Sequence, residues 1–323
     1  MMRVAAIDCG TNSVRLLIAD VGDGTGAGGL SDVERRMEIV RLGQDVDRTG
    51  RLAPEALERT FTAMRGYAGL VDRHGAARVR VVATSATRDA ANRQEFVDGV
   101  REIFGVEPEV ITGAEEAELS FTGATRDLVR FSPETGMPST GGTRPPYLVV
   151  DIGGGSTEFV LGSTHVEAAL SVDIGCVRLT ERHLRDGGDP PSAEAVAAAT
   201  ADIDDALDRV AAEVPVERAM TLVGLAGSVT TVAGMALELP EYDPEKIHHS
   251  RIAAGQVHDI AERLLGMAVA RRAAIPVMHP GRVDVIGAGA LILDRIVSRY
   301  GFGEVVTSER DILDGIAWSV AKP

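Results

Sequence analysis

Residues 151–162, DIGGGSTEFVLG, constrain this chain more than any other stretch. They follow the apolar run Tyr147, Leu148, Val149 and Val150, which has the character of a buried strand. Three consecutive glycines then remove every Cβ, so the backbone turns sharply with its N–H groups open to one side. Ser156 and Thr157 add hydroxyls before the chain resumes as a second strand at Glu158. A strand, a glycine-rich turn and a second strand make a nest of N–H donors suited to phosphate oxygens. Asp151 and Glu158, at the two ends of the turn, are the hard oxygen donors that Mg²⁺ prefers. A glycine hairpin without any ligand satisfies the same pattern, so this stretch alone does not decide a function.

The pattern recurs near the N-terminus. Val4, Ala5, Ala6 and Ile7 lead into residues 8–20, DCGTNSVRLLIAD, again a short apolar strand, Asp-x-Gly, a hydroxyl-bearing turn and an apolar strand. Two such hairpins predict duplicated half-domains whose phosphate loops face each other across a cleft. That arrangement resembles the actin, Hsp70 and sugar-kinase superfold. The expected fold class is therefore α/β, two actin-like (ribonuclease H-like) domains with an interdomain active-site cleft. The phosphate-binding candidates are Gly10, Thr11, Asn12 and Ser13 in the first loop, and Gly153, Gly154, Gly155, Ser156 and Thr157 in the second. Residues 222–235, LVGLAGSVTTVAGM, show a strand, a small-residue turn and a helix. They resemble the third loop of the superfold and add Gly227 and Ser228.

Composition narrows the partners. At 323 residues the chain exceeds what one core usually covers, and the expected division is 1–125 and 126–323, with the terminal helix able to pack back on the first domain. A hydrophobic fraction of 45% with 25% charged residues describes an ordinary soluble globular protein. Aromatics make up only 4%, which argues against recognition of nucleic acid by base stacking. The net charge of −15 opposes binding to nucleic acid or an acidic membrane surface. Any polyanion site must therefore be locally basic and metal-assisted. Lys246 and Lys322 are the only lysines, so neither phosphate loop carries a P-loop lysine. Cys9 and Cys176 give no metal spacing and no disulfide framework, which fits a reducing cytoplasm. Cys9 is expected to be a small buried residue. No signal peptide is expected, because Asp8 interrupts the N-terminal apolar run, and no apolar run reaches membrane-spanning length.

Along the chain, the first hairpin is expected to turn at residues 22–29, with a further strand at 38–42. Pro54 sits where a first helical turn tolerates it, and the helical pattern runs to His74 before Gly75. A strand at 79–83 delivers Arg88 at its C-terminal end, the ligand side of an α/β sheet, and a strand follows at 109–111. A helix begins near Ala114, where Glu115 and Glu118 suit the helix dipole. Residues 131–146, rich in Pro, Gly, Ser and Thr, are expected to be a loop or insertion. Ser192 caps a helix that runs to about Val214. Arg178 and Arg182 fall on one side of a helix, and Arg282 and Asp284 at the start of another. His248 and His249 form a pair in a loop, without a third ligand at metal spacing. The strand at 304–307 gives way to a short terminal helix. Arg88 is the arginine best placed to touch substrate phosphate. Arg15 and Arg178 stay open between chain binding and surface ion pairing.

With these segments in order, the chain resembles the exopolyphosphatase / guanosine pentaphosphate phosphohydrolase family over almost its whole length. The resemblance is carried by IDCGTNSVRLLIAD, RLGQDVDRTGRL, TSATRDAANRQEF, ITGAEEAELSF, VVDIGGGSTEFVLG, SVDIGCVRLTERH, GLAGSVTT, GRVDVIGAGALIL and TSERDILDG. It implies hydrolysis of a terminal phosphoanhydride, on inorganic polyphosphate or on guanosine pentaphosphate. It implies Glu116, the second glutamate of the G-x-E-E-A block, as catalytic base, and Asp151 and Glu158 as ligands of Mg²⁺, with Mn²⁺ able to substitute. It further implies a homodimer, with guanosine tetraphosphate as an inhibitor, while the cysteines and the charge above point to the cytoplasm and to no nucleic-acid or membrane partner. Long members carry an additional helical domain, so this chain resembles a short form, and short polyphosphate chains are the expected substrate. Two other classes share the fold. A sugar or acetate kinase would transfer phosphoryl from ATP, but the chain shows no Cys-rich zinc block. A silent guanosine tetraphosphate sensor would not need Asp151, Glu158 and Glu116.

Overall fold

The computed structural model describes residues 1–22, 29–126, 128, 130–131, 138–139 and 142–321. The turn expected at 22–29 lies for the most part outside the described residues, and the loop expected at 131–146 lies partly outside them. The chain divides into two compact units, Met1–Gly123 with Ile312–Pro323, and Ala124–Asp311.

The first unit is built on β1 (Met2–Cys9), β2 (Ser13–Val21), β3 (Leu30–Ile39), β4 (Arg78–Ala83) and β5 (Glu109–Val110). Its helices are α1 (Val46–Thr49), α2 (Pro54–His74), α3 (Ser85–Asp89), α4 (Arg93–Phe104) and α5 (Gly113–Thr125). The sheet order is β3-β2-β1-β4-β5, with β1 to β3 antiparallel and β4 and β5 parallel to β1. β1 is apolar on both faces because both faces are covered, and its side chains alternate between two cores. Ala5, Ile7 and Cys9 pack with Leu57, Met64 and Tyr67 of α2. Val4 and Ala6 pack with Ile312, Leu313, Ile316 and Ala317 of the terminal helix, Ile312–Ala321. That helix is pinned by Arg35 of β3, whose Nη2 lies 2.6 Å from Oδ1 of the buried Asp314. At Gly315 any Cβ would overlap the carbonyl oxygen of Leu119 in α5, so only glycine permits this close approach.

α2 starts on Pro54 and ends at Gly75, which is left-handed at φ 64 and donates its N–H to the carbonyls of Asp72 and Val71. The strand expected at 38–42 is instead β3, which runs from Leu30 to Ile39. Its sequence, LSDVERRMEI, is charged because β3 is an edge strand, and this hides its strand character. The strand stops at Ile39 because the N–H groups of Val40 and Arg41 both turn to the carbonyl of Asn12.

The second unit opens with a short ladder, β6 (Arg130–Phe131) with β7 (Pro138–Ser139). Its main sheet holds β8 (Tyr147–Ile152), β9 (Thr157–Gly162), β10 (Val166–Val172), β11 (Thr221–Leu225), β12 (Arg251–Ala253) and β13 (Glu304–Thr307). The helices are α6 (Cys176–Leu179), continued by a π-helical turn at Thr180–Leu184, then α7 (Ala193–Glu213), α8 (Ala226–Ala236), α9 (Pro244–Ile247), α10 (Ala254–Leu265), α11 (Val269–Arg272) and α12 (Ile286–Tyr300). The order β10-β9-β8-β11-β13 repeats β3-β2-β1-β4-β5 strand for strand and direction for direction, with β12 added antiparallel at the edge. The protein is thus α/β, with two actin-like (ribonuclease H-like) domains.

Ser192 caps α7 by accepting the N–H of Ala195. Isoleucines and leucines of α7, α10 and α12 close one core against the sheet, among them Ile203, Leu207, Leu264, Leu293 and Ile296. Arg295 of α12 reaches Asp204 of α7, and Arg299 reaches Asp208 one turn on. Arg282 and Asp284 do not start a helix. Arg282 ends a 3₁₀ turn at Pro280–Arg282, and α12 begins only at Ile286. No separate turn parts β11 from α8 either, because Ala226 makes the elbow itself in the left-handed region at φ 66. Among the described residues no helix is long and apolar enough to cross a membrane.

Candidate active site

The two Asp-x-Gly hairpins close in the same way. Gly10 donates its N–H to the carbonyl of Ser13 at 3.0 Å, and Gly153 donates to Ser156 at 3.0 Å. These two N–H groups, expected among the phosphate donors, are therefore used within the turns. The carbonyls that follow are tied back. In the second hairpin, Gly153 O accepts from Cys176 N at 3.0 Å, and Gly154 O accepts from Val177 N at 2.9 Å and Arg178 N at 3.1 Å. Gly155 O accepts from Arg178 Nε at 2.6 Å. A trans peptide sets each carbonyl opposite the N–H of the next residue. Tying back three carbonyls therefore turns the N–H groups of Gly154, Gly155 and Ser156 to the other side, as an anion nest requires. The first hairpin does this with backbone alone. Gly43 N binds Thr11 O at 2.8 Å, and Val40 N and Arg41 N bind Asn12 O at 3.0 and 2.9 Å, which turns the N–H groups of Asn12 and Ser13.

The glycines beside these loops follow from that packing. A Cβ on Gly175 would overlap the peptide between Gly154 and Gly155, and one on Gly43 would overlap Thr11. Thr11 Oγ1 and Ser85 Oγ lie 2.9 Å apart and join the first loop to α3. Thr157 is fully buried in β9 and donates its hydroxyl to Ile174 O at 2.5 Å, so it anchors the segment that leads to α6. Ser156 is buried as well.

The acids divide the two hairpins. Asp8 pairs across the strands with Arg15, and their side chains form an ion pair at 2.7 Å, so Asp8 is neutralised within the protein. At the equivalent position Asp151 pairs with Glu158. Like charges directly opposite on neighbouring strands repel, and here both are buried, at 7% and 1% exposure. Two hard carboxylates held together fit a divalent cation of the Mg²⁺ type, which binds through one or two carboxylates and fills its shell with water and phosphate oxygens. Among the described residues no group of three or more His, Cys, Asp or Glu suited to a metal occurs. His248 and His249 stack on each other at 3.7 Å, and His248 Nδ1 accepts the N–H of Glu309.

Glu115 and Glu116 separate by partner. Glu115 closes a capping box on α5, in which its carboxylate accepts from Thr112 N at 2.9 Å while Thr112 Oγ1 accepts from Glu115 N at 3.2 Å. The Thr112 N–H and the Thr112 hydroxyl, which both donate to this carboxylate, hold its carboxyl below the ordinary glutamate range. Glu116, one residue on, is buried at 7% exposure and takes Nη1 of Arg88 at 3.2 Å. The same Nη1 donates to Ile111 O at 3.0 Å. Arg88 stands on α3, one turn beyond the end of β4. Cys9 is buried, and burial together with the neighbouring Asp8 pushes its thiol well above the ordinary range, which removes it as a nucleophile.

The remaining candidates have structural surroundings. Gly227 packs where a Cβ would overlap the guanidinium of Arg282. Ser228 is buried and, with Cys176, packs where a Cβ on Gly289 would overlap it. Arg182 pairs with Asp202 at 2.6 Å. Arg178, left open between chain binding and surface pairing, holds the second glycine loop. That role was missed from sequence, as was Ser171, whose hydroxyl donates to Glu158 Oε1 at 2.7 Å.

Known proteins share this architecture along the full chain. The Ppx/GppA phosphatase family matches residues 17–322. The chain belongs to the Ppx/GppA phosphatase family. It is 49% identical to Exopolyphosphatase 2 of Mycobacterium tuberculosis, with 99% of each chain covered. The crystal structure of an exopolyphosphatase-like protein is 42% identical and superposes with a TM-score of 0.90, covering 98% of this chain and 97% of that one. The Aquifex aeolicus PPX-GPPA enzyme is 32% identical with a TM-score of 0.78, covering 98% and 99%. Membership makes the chain one of a family of phosphatases, and two of these relatives carry exopolyphosphatase in their names.

Proposed function

We infer that this Ppx/GppA phosphatase is an exopolyphosphatase, which hydrolyses the terminal phosphoanhydride of inorganic polyphosphate and releases orthophosphate. The observation that carries the reading is the second hairpin, where two buried carboxylates stand opposite each other beside three N–H groups turned to one side. Water attacks the terminal phosphorus in line, the anhydride P–O bond breaks, and orthophosphate departs from a chain one unit shorter. Glu116 takes the proton of the attacking water, and its bond to Arg88 keeps the carboxylate in place. The N–H groups of Gly154, Gly155, Ser156 and Asn12 bind phosphate oxygens, and donors of this kind are worth about 3 kcal/mol each in the transition state. Asp151 and Glu158 would hold Mg²⁺ or Mn²⁺, which neutralises phosphate charge when bound.

Guanosine pentaphosphate ends in the same kind of anhydride and is the second substrate to test, with guanosine tetraphosphate as the product-like inhibitor. The enzyme acts in the cytoplasm as a homodimer. The net charge of −15 disfavours a long polyanion, so short chains are the preferred substrate. The test is orthophosphate release from polyphosphates of defined length and from guanosine pentaphosphate, with and without chelator. Release from short polyphosphate that stops with chelator and returns with Mg²⁺ is expected. Absence of release, or transfer of phosphate from ATP to a sugar or carboxylate, contradicts the reading.

A further inference from the structure

We infer that Ser171 is a positioning residue that fixes the Glu158 carboxylate for its cation, an inference that rests on the metal reading above. Three residues stand in one row across adjacent strands: Asp151 on β8 pairs with Glu158 on β9, and Glu158 pairs with Ser171 on β10. Residues directly opposite on neighbouring strands point to the same face, close enough for their side chains to meet. Ser171 Oγ lies 2.7 Å from Glu158 Oε1 and donates to it. Its neighbours along β10, Leu170 and Val172, both pack against the core.

A glutamate reaches its ligand through three rotatable bonds, so a carboxylate meant to grip a cation needs an outer partner to hold its plane. Hydrogen-bond partners of metal ligands do this work, and their loss typically weakens metal binding by about 10- to 100-fold. The equivalent row of the first unit shows the contrast. There Arg15 stands in place of Glu158 and Met37 in place of Ser171. A cation already supplied by arginine needs no hydroxyl behind it. The strand ladder around Ser171 is made by backbone groups, so removal of its hydroxyl leaves the sheet pairing intact.

The experiment is Mn²⁺ binding without substrate, read by electron paramagnetic resonance, in the wild type, Ser171→Ala, Glu158→Gln and the double variant. Ser171→Thr and Ser171→Val form a second pair of equal shape that differs in the hydroxyl alone. Ser171→Ala and Ser171→Val are expected to bind Mn²⁺ at least about 10-fold more weakly, with Ser171→Thr near wild type. Glu158→Gln is expected to weaken binding too, with no further loss in the double variant. With phosphate release as a second readout, Ser171→Ala should shift the metal concentration needed for half activity more than kcat at saturating metal. Wild-type affinity in Ser171→Ala beside weakened Glu158→Gln overturns the role of Ser171 alone. Equal affinities in the Thr and Val variants do the same. Wild-type affinity in Glu158→Gln overturns the metal reading and this inference together.

Discussion

Adjacent glutamates at the start of α5 have separate surroundings. Glu115 is exposed and caps the helix, whereas Glu116 is buried against Arg88. Glu116→Gln is expected to lower kcat by about 100-fold or more, the usual size of a lost general base, with the fold unchanged. Glu115→Ala should keep turnover and lower stability by about 1 kcal/mol, the usual worth of a cap. Since folding depresses the Glu115 pKa, its contribution is full above the ordinary glutamate range and fades as pH falls through the lowered value. The stability difference between Glu115→Ala and wild type should therefore shrink in acid. Steady-state kinetics and thermal unfolding of both variants, the latter at neutral and acid pH, check this. Equal loss of turnover in the two would remove the distinction. Part of the division was legible beforehand, since Thr112-x-x-Glu115 is a capping-box spacing. The partner of Glu116 was not, because Arg88 lies on a separate helix and only the fold joins them.

Among elements, the turn between β10 and α6 acts as a clamp on the second glycine loop. Gly175 lets the backbone come close, the first N–H groups of α6 take two loop carbonyls, and Arg178 Nε takes the third. Arg178→Ala frees Gly155 O and loosens the N–H of Ser156, so KM for polyphosphate should rise about 10-fold, consistent with the loss of one charge-assisted hydrogen bond. Arg178→Lys should not restore it, because an ammonium lacks the planar fork that reaches the carbonyl. Kinetics of the two variants decide the point, and an unchanged KM in Arg178→Ala would show that the loop holds its shape without the clamp. The clamp was not visible in sequence, since a residue some twenty positions beyond the loop gives no periodic signal. α2 and α7, by contrast, were legible from Pro54, Gly75 and Ser192, whose effects are local. β3 was misplaced because charges on an edge strand resemble a loop, and its partner β2 sets its limits.

Across the whole molecule, the repeat of Asp-x-Gly told of two halves, and the repeated strand order bears this out. The difference between them was legible too: seven residues after the aspartate, one half has Arg15 and the other Glu158. The first unit answers its aspartate with an internal ion pair, while the second gathers acids. The terminal helix belongs to the first unit because the second face of its sheet is apolar and must be covered, a demand that no local pattern announces. The proposed reaction rests on attack by water at the terminal phosphorus of a polyphosphate. The most direct measurement is a single turnover on tripolyphosphate in ¹⁸O-labelled water, with the products resolved by mass. One labelled oxygen is expected in the released orthophosphate and none in the pyrophosphate that remains. Label in the pyrophosphate, or orthophosphate released without label, would contradict it.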